Sequence, residues 1–163
     1  MTRVIIDTDP GTDDALALIM ALNSPDLDIQ AITTVGGNVS LANTTRNALR
    51  LLDYLGRAEI PVHRGAARPF RGRFGHIYNI HGPGGLTVRI PLPVSTPHSQ
   101  RATACIIELA RSSPGELTLI ALGPLTNVAR AIVEEPRLRE WVPEIVVMGG
   151  AVHTSGNVNR FAE

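Results

Sequence analysis

Short apolar runs rich in β-branched residues alternate along this chain with longer segments of helical spacing. Arg3 to Asp7, Asp28 to Val35, Ile60 to His63, Leu117 to Leu122 and Ile145 to Met148 read as strands. Between them, Asp13 to Asn23, Leu41 to Leu55, Ala102 to Arg111 and a segment around Val128 to Val133 read as helices. Solidly apolar strands have no side to offer water, and parallel neighbours need a crossover, which helices supply. The expected fold class is therefore α/β, a single domain built on an open, mainly parallel sheet with helices on both faces, in the Rossmann-like manner. The first helix, Asp13 to Asn23, is apolar nearly all round, which predicts that it is buried.

Ligands of such sheets bind outside the carboxyl ends of the strands. Those ends carry Gly36-Gly37-Asn38, Gly123-Pro124, Gly149-Gly150 and, at the first strand, Asp7-Thr8-Asp9-Pro10-Gly11-Thr12-Asp13-Asp14. Four carboxylates this close repel one another and would weaken a purely structural turn. Asp7 and Asp9, two apart, can project together from the strand end. Thr12 reads as the N-cap of a helix opening with Asp13 and Asp14, where the helix dipole favours negative charge. Helix-start chemistry accounts for the second pair but not the first. A hard cation or a chemical task is the usual reason to keep such a cluster.

Composition removes several function classes. Net charge is zero and the pI is near 7.0, which argues against nucleic acid or an anionic membrane as partner. All fifteen basic residues are arginine, so neither a Schiff-base lysine nor a phosphate-loop lysine exists. No run is long and apolar enough to span a bilayer, and Arg3 leads straight into a strand, so no signal peptide is expected. The lone Cys105 lies among helix formers and reads as a buried small residue, which suits the cytoplasm. No dinucleotide loop follows the first strand, and no Cys/His spacing suits zinc; the available ligands are oxygens, which favours Ca²⁺ or Mg²⁺. The aspartate run is no EF-hand loop, because Gly11 stands where a third oxygen ligand belongs. A haloacid-dehalogenase-like phosphatase also carries Asp-x-Asp after its first strand, but it has Thr or Val two residues past the second Asp, where this chain has Gly11, and it lacks the Asp13-Asp14 pair.

Residues 65–99 break the alternation. They are rich in Gly, Pro and Arg and lack periodicity, as expected of a long active-site loop. His81 lies next to Gly82 there, which predicts a histidine on mobile backbone and outside the core; His76 and His98 read as surface residues.

The aspartate run through Ala15 resembles the N-terminal fingerprint of the inosine/uridine-preferring nucleoside hydrolases. Four more segments resemble that family in the same order: Gly37-Asn38-Val39-Ser40, Ile80-His81-Gly82 with Gly85-Leu86, Gly123-Pro124-Leu125-Thr126-Asn127, and Met148-Gly149-Gly150-Ala151 followed by Gly156-Asn157 and Ala162-Glu163. The resemblance covers essentially the whole chain. It implies a nucleoside hydrolase type of sheet and calcium-dependent hydrolysis of the N-glycosidic bond of ribonucleosides. Asp9, Asp14 and the Leu122 carbonyl would be Ca²⁺ ligands, with Asp9 also a base toward water. Asp13 and Asn38 would hold ribose hydroxyls. Met148, Asn157 and Glu163 would line the ribose end, and His81 would stand by the nucleobase. Asp7 would support the ligands from behind.

The family also brings a calcium-ligating Asp and a neighbouring His from its C-terminal half. Here His153 precedes a threonine and no aspartate follows Asp53. The fold is therefore expected to be C-terminally incomplete, with a homo-oligomer or a further segment completing it and weak turnover by these residues alone. A calcium- or ribose-binding protein of the same fold, without catalysis, is the alternative.

Overall fold

The computed structural model describes residues 1–163 apart from 73–74, 77 and 157–163, and apart from the side chains of 78 and 79. Its elements run β1 (Thr2–Thr8), α1 (Thr12–Leu22), β2 (Leu27–Thr34), α2 (Leu41–Tyr54), β3 (Val62–Arg64), α3 (Tyr78–His81), α4 (Ala102–Ser112), β4 (Leu117–Ala121), α5 (Thr126–Glu134), α6 (Leu138–Trp141) and β5 (Glu144–Val147). The strands form one sheet in the order β3-β2-β1-β4-β5, every pair parallel. The expected open parallel sheet is what the chain builds. Strand order reverses between β1 and β4, so the crevice at their carboxyl ends is the topological switch point.

Alternation along β1 divides the core. Val4 and Ile6 join Leu18, Leu22, Leu49 and Leu52 beneath α1 and α2. Ile5 joins Ile106, Leu119 and Val128 beneath α4 and α5 on the opposite face. Each fully buried side chain of this size stabilises the fold by ~1.5–3 kcal/mol. A bulge against β2 between Val4 and Ile5 leaves Gln30 as the additional residue and brings Thr33 opposite Asp7.

Several expectations need correcting. α1 buries only one stripe, through Ala15, Leu18 and Leu22. Leu16 and Met20 are 60% and 67% exposed, because the sheet covers one side of the helix only. The helix starts one residue early: Gly11 is its N-cap, and Asp14 accepts the Gly11 N–H at 3.2 Å. The four-residue helices α3 and α6 are too short to show a period. Among the described residues, β5 forms an edge of the sheet, on which Ile145, Val146 and Val147 are 39–47% exposed. No helix among the described residues is long and apolar enough to cross a membrane.

Besides the short helix α3, side chains of α2 hold much of the segment 65–99. From successive turns of α2, Asn43 Nδ2 donates to Pro83 O (3.1 Å), Asn47 Nδ2 to Gly84 O (2.8 Å) and Arg50 Nε to Pro91 O (3.0 Å). Asp53 accepts the Val94 and Ser95 N–H groups (2.6 and 3.0 Å) and the Ser95 hydroxyl (2.6 Å). Leu86 and Ile90 pack against the core from this segment, but these other ties run through backbone carbonyls and amides, so no hydrophobic period marks it.

The segment returns to the sheet where His98 N–H donates to Val62 O (2.8 Å) and the His63 and His98 rings lie 4.6 Å apart. Burial, and secondarily His98, hold the His63 imidazole below its ordinary 6.5. The unfolded chain therefore takes a proton that folded His63 resists. The stability involved is fully present above about pH 6.5 and declines as the pH falls below it. On going from pH 7.5 to pH 5, the urea midpoint of His63→Asn is expected to rise relative to that of the parent chain, since one proton acceptor of the unfolded state is gone; the same pH dependence in both would show that His63 does not titrate with unfolding.

Candidate active site

At the exit of β1, Asp7 shares the inner face with Ile5 and is fully buried. Its Oδ1 accepts hydrogen bonds from the Thr33 hydroxyl and from Asn127 Nδ2 (2.7 Å). Its Oδ2 has no hydrogen-bond partner among the described residues. Burial pushes its carboxyl up to about 6, against those two hydrogen bonds. Asn127 is itself fully buried and reaches three segments: besides Asp7, it donates to Thr34 O (3.1 Å) and accepts from Ala66 N (2.8 Å).

Asp9 lies beyond the strand, 5% exposed, between two glycines. A Cβ on Gly37 would fall 2.0 Å from its Oδ2, and one on Gly123 would fall 2.3 Å from its Oδ1. Only glycine lets the β2 and β4 exits close on this carboxylate. Asn38 ties it to its neighbour: the Asn38 N–H donates to Asp9 Oδ2 (2.6 Å), and Asn38 Nδ2 donates to Asp14 Oδ2 (3.1 Å) and Asp9 O (3.2 Å). Asp14, 4% exposed, also accepts the Thr8 hydroxyl at 2.6 Å. Burial first, then the charge of Asp14, pushes Asp9 up to about 8; burial is also the main cause raising Asp14.

His81 faces this turn from the end of α3. Thr12 N–H donates to its Nδ1 (3.3 Å), and Asp13 Oδ1 lies 3.7 Å from the same nitrogen. With Nδ1 accepting, the ring proton belongs on Nε2. The expectation of a histidine outside the core is corrected: His81 is 6% exposed, seated against the first turn of α1. Gly11 makes room for it, since a Cβ there would come within 2.8 Å of both His81 Nδ1 and Asn38 Nδ2. The Asp13 side chain remains 61% exposed. His76 is an exposed residue, and its Nδ1 lies 2.8 Å from Gly37 O.

Asp9, Asp13, Asp14, Asn38 and His81 thus converge on one edge of the sheet. Leu122 is placed beside them by its N–H to Asp7 O (2.8 Å), and Met148, half-exposed, by its N–H to Ala121 O (2.9 Å). Asn157 and Glu163 lie outside the described residues. Sequence reasoning passed over Thr8, Asn47 and the bracing work of Asn127. Asn47 follows Asn43, Thr44, Thr45 and Arg46 in the same helix, so no sequence signal set it apart.

Among the described residues, no three or more His, Cys, Asp or Glu side chains form a group that could hold a metal ion. The donor chemistry still suits part of a hard-cation shell. Two buried carboxylates repel each other, and burial raises the pKa of both. A cation held by oxygens would relieve both penalties.

Residues 4–163 match the family model described as inosine-uridine preferring nucleoside hydrolase. The chain is 43% identical over 164 residues to the probable uridine nucleosidase 2 of Arabidopsis thaliana, covering 99% of this chain and 51% of that one. It is 42% identical over 150 residues to the pyrimidine-specific ribonucleoside hydrolase RihA of Salmonella arizonae, covering 91% of this chain and 48% of that one. Among solved structures, a plant nucleoside hydrolase superposes with a TM-score of 0.93 at 43% identity, over 99% of this chain and 52% of that one. A purine-preferring ribonucleoside hydrolase from Gardnerella vaginalis superposes with a TM-score of 0.92 at 34% identity, over 97% and 52%. The chain spans about half the length of these relatives.

Proposed function

This chain belongs to the inosine-uridine preferring nucleoside hydrolase family, and from that footing we propose that it carries the carboxylate and ribose-binding part of a calcium-dependent ribonucleoside N-ribohydrolase. The observation that carries the proposal is the Asp9–Asn38–Asp14 cluster at the switch point with His81 seated across the same turn. The relatives' names range from uridine to purine ribonucleosides. Ribose is common to all of them, so the sugar end is where the substrate is recognised.

In this reaction water adds to the anomeric carbon, the N-glycosidic bond breaks, and ribose and free base leave. Positive charge gathers on the sugar ring in the transition state, and Asp9, Asp13 and Asp14 supply negative charge beside it. Asp9 takes the proton of the attacking water, its carboxylate held in place by the Asn38 N–H. Asp13, the exposed member, and Asn38 orient the ribose hydroxyls, with Met148, Asn157 and Glu163 closing the ribose end. His81 presents its Nε2 proton to the departing base. Calcium bound by Asp9, Asp14 and the Leu122 carbonyl would supply a charge that holds the ribose diol and lowers the pKa of the attacking water.

Binding without turnover is the second reading, favoured by the two-carboxylate metal shell. Free ribose released from inosine and uridine separates the two. It is measured with calcium or with chelator, for residues 1–163 and for those residues joined to the C-terminal half of the plant relative. Calcium-dependent release is expected from the joined chain, with little from residues 1–163 alone. Release that ignores the chelator would refute the calcium role, and no release from a folded joined chain would favour binding alone.

A further inference from the structure

Asn47 lies in the middle of α2 and is 1% exposed. Asparagine is a poor helix former, and a buried amide is tolerated only when it is paired. Both protons of its amide nitrogen are used across a gap in sequence. Nδ2 donates to Pro10 O (3.1 Å), within the aspartate turn, and to Gly84 O (2.8 Å), three residues past His81. Gly85, at φ +88°, seats on the same amide: a Cβ there would lie 2.8 Å from Asn47 Nδ2 and 3.2 Å from Pro10 O. The turn and the loop therefore meet on one side chain.

We propose that Asn47 is a positioning residue that fixes the histidine loop against the aspartate turn, joining the base end and the sugar end of the site into one rigid unit. The assignment of those two ends rests on the nucleoside hydrolase reading above; the joining itself does not. An amide nitrogen is suited to the task because it offers two diverging donors without charge. Aspartate of the same shape offers none, and its charge would face two carbonyls. The contact of Thr12 N–H with His81 Nδ1 is the downstream reporter, since it exists only while turn and loop keep their spacing.

The experiment needs no substrate, so its failure is distinct from failure of the enzymatic reading. In residues 1–163, the imidazole ¹⁵N shifts of His81 report its tautomer, and amide exchange reports Thr12 and Gly85. Asn47→Asp is expected to speed exchange at both amides by about tenfold and to shift His81 away from the Nε2–H form. Asn43→Ala, which releases Pro83 O without touching the turn, is expected to leave Thr12 within about twofold of the parent. If Asn47→Asp does not fold, Gly85→Ala serves instead: it presses on the same amide without removing it and should move the same signals. Unchanged Thr12 exchange and an unchanged His81 tautomer in a folded variant, or equal effects from Asn43→Ala, would overturn the proposal.

Discussion

On the proposed reaction, Asp9→Asn in residues 1–163 joined to the C-terminal half of the plant relative is expected to lower kcat by about a hundred- to ten-thousand-fold while KM changes little. Asparagine keeps one oxygen toward a cation and toward the Asn38 N–H, but it cannot take a proton. The same substitution is expected to raise the melting temperature of the calcium-free protein by about 4 °C or more. Asp9 is a buried carboxylate whose burial and nearness to Asp14 both disfavour its charge, and the amide carries none. Steady-state kinetics beside a calcium-free melting curve would check both signs. A loss confined to KM would demote Asp9 to a binding residue. A lower melting temperature would mean that its charge is compensated within the fold.

Asn127→Ala is expected to cost about 3–5 kcal/mol of stability, a large share of the ~5–15 kcal/mol that holds a typical domain together. Truncation removes three buried hydrogen bonds at once: the Ala66 N–H loses its acceptor, Asp7 Oδ1 keeps only the Thr33 hydroxyl, and the Thr34 carbonyl keeps the Gly65 N–H. Among the described residues, Asp7 Oδ2 has no partner, so the Thr33 hydroxyl alone would remain on this carboxyl. Urea unfolding followed by circular dichroism measures the difference. A change under about 1 kcal/mol would show that water or neighbouring groups replace all three bonds.

Most of the architecture was legible because it follows from burial. The β4 run from Leu117 is apolar on both faces, and only a parallel sheet under two helical layers can use such a strand. The aspartate cluster was legible because like charges crowd it beyond any structural need. What stayed hidden depends on distance instead of pattern. Gly37 and Gly123 look like ordinary turn glycines until both are seen against the Asp9 carboxylate. The exposure of Leu16 and Met20 could not be read from a helix apolar on every side, since sequence does not say which neighbours are present. The burial of His81 escaped notice for a related reason: its cover is the first turn of α1, 69 residues earlier, and the Asn47 amide that ties its loop down lies 37 residues from Gly84. Glycine on one side of a histidine suggested mobility, whereas here Gly82 only ends a short helix.

Nucleoside binding by residues 1–163, followed by two-dimensional amide NMR with and without calcium, tests the assignment of this edge as a sugar-binding carboxylate site. Calcium alone is expected to move the amides of Asp9 and Asp14, and inosine or uridine added afterwards to move those of Asp13, Asn38 and Gly82. The nucleosides are expected to move none of these in the presence of chelator. Nucleoside shifts that persist under chelation, or calcium shifts centred away from Asp9 and Asp14, would contradict the assignment.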